Sequence, residues 1–260
     1  MRGLLAFFLQ LCTALRTPHP CLSNGIGRRA ALALPLAPTA AAAATRGAAD
    51  ARTVSYGPRE ADLYLQPGRR RPVVALLHDS LTNASRRALD AVARDVVART
   101  AYHCVNFDYR GSDDVETAMA WLSSPGAAAL GLENNVVLIG HGVGGQMAFR
   151  HALRGSPKLR GTPTTSARLR GVVSCGAPLD LREARALGID VSGDSPIALL
   201  PPAMTSSLRT AAWTAWEESL VAATSFSLIH GLDDAVVPPA LSTRFVVAAA
   251  TGGIPSEYHQ

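Results

Sequence analysis

A chain of 260 residues that is 48% apolar can bury one sizeable core and is too apolar to be globally disordered. Its net charge of +5 is a local matter: of 25 Lys and Arg, five (Arg2, Arg16, Arg28, Arg29 and Arg46) lie in residues 1–49, which hold no acid, and the other 20 are matched by all 20 Asp and Glu. The high charge thus belongs to the N-terminal segment alone and gives no support to nucleic-acid binding, which needs a basic face on the folded domain, so no nucleic-acid partner is expected.

Residues 1–49 read as an address rather than as fold. "MRGLLAFFLQLCTAL" places one early arginine before an apolar stretch too short to span a bilayer, as in a secretory h-region. "GRRAALALPLAPTAAAAATRGAA" follows with a twin arginine, a weakly apolar run and several A-x-A sites, and it resembles a twin-arginine export signal. Two signals in series resemble the bipartite presequences of the plastid thylakoid lumen; a bacterial twin-arginine signal with a misassigned start is the simpler alternative. An Ala-rich amphipathic helix packed on the domain is the structural alternative, although Pro18, Pro20, Pro35 and Pro38 interrupt it. Removal near residues 44–49 is expected, leaving a mature domain over 50–260 with no integral membrane span. Cys12 and Cys21 would leave with the presequence.

From Arg52 onward, short β-rich runs alternate with helical patterns, the mark of a mostly parallel sheet flanked by helices. "RTVSYG" and "DLYLQP" are the first strands, the second stopped by Pro67. "PVVALLH" is apolar throughout, as a strand covered on both faces requires. "NASRRALDAVARDVVART" has Asn83 or Ser85 as a start signal and Leu89, Val92, Val96 and Val97 at helical spacing. Strand "AYHCVNFDYR", helix "DDVETAMAWL" and buried strand "NVVLIG" follow, then a helix over about 144–153. "RGSPKLRGTPTTSARLR" reads as a solvated basic loop. "GVVSCG" and "SFSLIHG" are strands separated by a long excursion, residues 179–220, expected to form a helical cap with Trp213 and Trp216 on one helix face. "PPALSTRFVVAAATGG" is a helix opened by proline and closed by glycine, and "IPSEYHQ" starts a last strand.

The chemistry concentrates where "VVLIG" runs into "HGVGGQMA". A strand, a glycine-rich turn and a helix form an elbow of the kind that mounts a nucleophilic serine, with the pattern G-x-S-x-G; here it reads Gly140, His141, Gly142, Val143, Gly144. A dinucleotide loop is the competing reading, but G-x-G-x-G-G is not G-x-G-x-x-G. It also comes after several strands, and no acid lies at the required distance behind it. Cys104 and Cys175 show no CxxC, and no metal or cofactor signal is present.

Several motifs together resemble the α/β-hydrolase fold and, within it, a small-esterase branch with feruloyl-esterase-like, kynurenine-formamidase-like and isoprenylcysteine-methylesterase-like members. They are Tyr56-Gly57, "LYLQP", "LLHDS", "FDYR" with Asp114, Ala118 and Trp121 behind it, "IGHGVGGQMA", and "IHGLDDAVVPP". The likeness covers about residues 53–260. It implies a nucleophile at position 142, an acid at Asp234 (with Asp233 the less favoured neighbour), and a histidine on a loop after the last strand. It also implies backbone oxyanion donors at Val143 and at the position of Asp79, which replaces a glycine after His78. Asp234 is also open to the simpler reading of a loop cap.

Against this pattern, Gly142 leaves the nucleophile position vacant. His259 falls within the last strand and is a weak candidate base; on this reading the chain ends several residues early. His141 is expected to point away from the site, and Cys175 to be inert. In the implied strand order two strands separate Cys104 from Cys175, roughly 14 Å at about 4.8 Å per strand, so no disulfide is expected. Three readings result: an esterase-derived protein without serine-hydrolase activity, a receptor holding a small apolar or ester-like ligand, and an active esterase whose sequence is incomplete. Substrate and oligomeric state are not legible.

Overall fold

Runs that are apolar at every position are stable as strands only when both faces are covered. In the computed structural model residues 73–77 and 136–140 are buried without interruption, at the centre of an eight-stranded sheet. The described residues are 51–68, 70–80, 85–154, 167–191, 193, 195–200, 224–252, 254 and 256–260. In chain order they form strands β1 (Arg52–Tyr56), β2 (Arg59–Tyr64) and β3 (Arg71–Leu77), helix α1 (Asp90–Arg99), strand β4 (His103–Phe107), and helices α2 (Ser112–Leu122) and α3 (Pro125–Ala129). Strand β5 (Leu132–His141), α4 (Val143–Arg154), β6 (Arg168–Cys175), α5 (Leu181–Ala186), β7 (Ser225–Ile229), α6 (Ala240–Thr251) and β8 (Ser256–His259) complete the series.

The strand order is β1-β2-β4-β3-β5-β6-β7-β8. The β1/β2 and β2/β4 pairs are antiparallel; every pair from β4/β3 to β7/β8 is parallel. The chain leaves β3 towards β4 on one side and returns to β5 on the other. The C-terminal ends of β3 and β5 therefore flank the point where the winding reverses, the usual crevice for ligands in open α/β sheets. Register puts Leu77 opposite Gly140, so the residues two further on, Asp79 and Gly142, leave the sheet at the same level.

Helix α2 buries Val115, Ala118, Met119 and Leu122, the i, i+3, i+4, i+7 stripe that its sequence predicts. Helix α4 buries nine of its twelve residues, Gly144 to Phe149 among them. Phe149 of α4 meets Phe226 of β7 and Phe245 of α6 edge to face, with centroids 5.3 and 5.2 Å apart. At the other end of the sheet Tyr56, Phe107 and Trp121 form a second aromatic cluster.

All eight expected strands are present, with shifted ends. Strand β2 begins at Arg59 and stops at Tyr64, before Pro67, and β5 begins at Leu132. The helix expected from Asn83 or Ser85 begins as a 3-10 turn, Arg86–Leu89, and becomes α-helical at Asp90; Ser85 gives no side-chain cap, and Asn83 lies outside the described residues. Helix α3 was not anticipated, although its Ser124 cap, which accepts from Ala127 N–H at 3.2 Å, and its Pro125 are standard start signals. Within the excursion the structure describes α5, capped by Asp180, and a 3-10 turn, Pro196–Leu199. Trp213, Trp216 and most of the basic loop lie outside the described residues, as do residues 1–50. Among the described residues no helix is long and apolar enough to cross a membrane.

Candidate active site

The elbow joins β5 to α4, and its glycines are there for different reasons. A Cβ on Gly140 would lie 2.1 Å from the Gly144 carbonyl, and one on Gly144 would lie 2.2 Å from the Leu77 carbonyl oxygen. A Cβ on Gly145 would lie 2.7 Å from Ser174 Oγ. Those three let backbone pack directly on backbone or on the next strand. Gly142 is the only elbow glycine in the left-handed region, at φ 55°. Its N–H donates to Cys175 O at 2.9 Å and its carbonyl accepts from Gly145 N–H at 3.0 Å, which fixes the turn from both sides. The strained dihedral expected of a nucleophile position is present, without a side chain to use it.

Asp79, expected as a backbone oxyanion donor, also brings its side chain into this site. Its Oδ1 accepts from the Val143 N–H at 3.1 Å. A Cβ on Gly142 would lie 2.5 Å from Asp79 Cγ, 2.6 Å from Oδ1 and 2.9 Å from Oδ2. The carboxylate thus points into the elbow rather than away from it. The amide expected to stabilise an oxyanion already holds a negative oxygen, at the start of a twelve-residue helix whose dipole favours it there.

The neighbouring residues hold the loop after β3. His78 is buried, its carbonyl accepts from the Tyr109 hydroxyl at 2.6 Å, and its ring lies 4.9 Å from that of Tyr109. Burial pushes the Tyr109 phenol above its ordinary range and keeps it a donor.

The acid loop follows β7. Asp233 is exposed, whereas Asp234 is part-buried and faces the buried His230. Asp234 Oδ1 accepts from the N–H groups of Val236 and Val237, both at 2.9 Å. Oδ2 lies 3.4 Å from His230 Nε2, and a Cβ on Gly176, at the end of β6, would lie 3.3 Å from it. His230 is fully buried, with Nε2 2.7 Å from the Val237 carbonyl and Nδ1 2.7 Å from Ser242 Oγ. A carbonyl only accepts, so Nε2 carries a proton and donates to Val237 O, while the Ser242 hydroxyl is the partner of Nδ1. Burial works to raise the Asp234 carboxyl pKa, but the hydrogen bonds from His230 and from the Val237 and Val236 amides outweigh it. The net shift is downward. Asp234 therefore caps its own loop, whatever else it does.

His259 lies on β8, inside the strand as expected, opposite Ile229. Its carbonyl accepts from His230 N–H at 3.0 Å, and its Nε2 lies 3.8 Å from Glu257 Oε2. Among the described residues the ion-pair partner of Asp234 is His230, and that of His259 is Glu257. His141 is exposed and level with Cys175 across β5 and β6. Cys175 and Cys104 are both buried, and strands β3 and β5 separate theirs.

Sequence reasoning flagged each of these positions but missed the contact between two of them. A carboxylate where glycine is expected, facing a glycine where serine is expected, was the available signal.

No protein-family model and no curated protein sequence matches the chain. Solved structures do. A carboxylesterase from Lactobacillus plantarum is similar with a TM-score of 0.58 at 16% identity, over 81% of this chain and 81% of that one. An esterase B from Lactobacillus rhamnosis gives 0.56 at 18% identity, over 80% and 73%. An acetyl ester-xyloside bifunctional hydrolase from Caldicellulosiruptor lactoaceticus gives 0.54 at 20%, over 77% and 76%. The fold is the α/β-hydrolase fold, and its structural neighbours are ester hydrolases.

Proposed function

We propose that this chain is an α/β-hydrolase-fold protein of carboxylic-ester-hydrolase ancestry that does not perform serine-hydrolase chemistry. The observation that carries this reading is Gly142, which holds the dihedral of a nucleophile position at φ 55° and offers no attacking atom. Acyl transfer in such a site needs an oxygen on the elbow, a base to take its proton and a free amide for the oxyanion. The first is missing. The one histidine near the end of the chain, His259, is part of the β8 ladder, and the Val143 amide is engaged by Asp79. Loss of a triad nucleophile removes on the order of 10⁶ in kcat even when the rest of a site is intact.

A small ester-like or apolar molecule remains the class of ligand that the ancestry suggests. The purified chain is expected to hydrolyse p-nitrophenyl acetate no faster than buffer and to resist labelling by a fluorophosphonate probe. Turnover that survives removal of contaminants would overturn the reading. Gly142→Ser alone is expected to stay silent in the same assay; activity in that variant would make His259 or another histidine the base.

Residues 1–49 are proposed to act as an export presequence, to the thylakoid lumen or by a bacterial twin-arginine route. N-terminal sequencing of the protein from its native host tests this, with a new terminus near residues 44–49 expected.

A further inference from the structure

We propose that the Asp79 carboxylate is a built-in plug of the elbow: it fills the space of a side chain at position 142 and occupies the amide that would serve an oxyanion. Gly142 and Asp79 are then one feature, not two separate departures. The inference rests on the elbow reading above, but its test reads packing and access rather than hydrolysis, so the two fail separately.

The geometry carries it. A Cβ at position 142 would sit within 3.0 Å of three atoms of the Asp79 carboxyl group, closer than real Cβ atoms approach anything. The carboxylate can clear that space only by giving up the hydrogen bond that Oδ1 accepts from the Val143 N–H at 3.1 Å, so a side chain at position 142 and that bond compete. Register explains why the two residues meet: β3 and β5 are adjacent, Leu77 is level with Gly140, and both chains leave the ladder in step. An ester carbonyl approaching the Val143 amide would have to displace an ionised, hydrogen-bonded group that belongs to the protein itself.

Two measurements test the plug. In the first, Gly142→Cys is made in the native background and together with Asp79→Ala, and iodoacetamide labelling at position 142 is followed by peptide mass spectrometry. Cys104 and Cys175 are buried, and the peptide-level readout separates position 142 from Cys12 and Cys21. Labelling about tenfold faster or more is expected with Asp79→Ala, since the thiol is then uncovered and freed of an adjacent negative charge. Equal rates would overturn the proposal.

The second measurement covers variants that fold poorly. Gly142→Ala is melted in three backgrounds: native, Asp79→Asn and Asp79→Ala. The first two, which keep the bulk at position 79, are expected to lose roughly 6 °C or more; the third is expected to lose about half that, because only the positive-φ strain is left. An equal shift in all three, or loss of folding in all three, would overturn the plug.

Discussion

The elbow and the acid loop sit at the same edge of the sheet and hold their shapes by opposite means. The elbow is interlocked by backbone: Gly140 against Gly144, Gly144 against Leu77, and Gly142 hydrogen-bonded to Cys175 and Gly145. None of those contacts involves a side chain at position 142. The acid loop is more open, with Leu232 63% and Val236 68% exposed, and it is held by the carboxylate of Asp234 itself. A reactive group can therefore vanish from the elbow with its architecture intact, whereas the acid cannot be removed without loosening its own loop. The presence of Asp234 is accordingly weak support for catalysis, since the loop needs it in any case.

The contrast breaks most sharply at the interlock. Gly140→Ala puts a methyl group 2.1 Å from backbone atoms and is expected to destabilise by more than about 4 kcal/mol, seen as insoluble expression or a large drop in thermal midpoint. Phe149→Ala, which unlinks α4 from β7 and α6, is expected to cost about 3–5 kcal/mol in urea unfolding. Tolerance of either change would mean that the elbow is less tightly built than its contacts imply.

At the acid loop the effects are smaller and depend on pH. Asp234→Ala forfeits two charge-assisted bonds to amides and is expected to cost about 2 kcal/mol at neutral pH. The carboxyl pKa is lowered by folding, so its contribution is complete above the unfolded value of about 4 and disappears as pH falls through the lower folded value. The gap between wild type and Asp234→Asn should therefore close on acidification below about pH 4; a gap independent of pH would refute the assignment. His141→Ala, on an exposed side chain, is expected to stay within about 0.5 kcal/mol.

Much of the fold was legible because burial on both faces leaves a plain mark on sequence. The continuous apolar runs of β3 and β5 and the helical stripe of α2 name their own structures. Strand ends moved by a few residues because pairing partners, not local preference, decide where a ladder stops. Helix α3 was missed through brevity, since five residues carry no period to detect. In the candidate site, residue positions were readable and relations were not. Asp79 and Val143 are 64 residues apart, and only the adjacency and register of β3 and β5 bring them together. His230 was read as part of a motif around the acid; that its two ring nitrogens brace Ser242 and Val237 is a fact of tertiary packing.

The two buried cysteines have a consequence for how the described domain answers to its redox surroundings. Their thiols sit in strands that the sheet keeps apart, and the Cys104 thiol is held in its protonated form by burial. Moving the described domain from a reducing to an oxidising environment would leave its covalent connectivity unchanged.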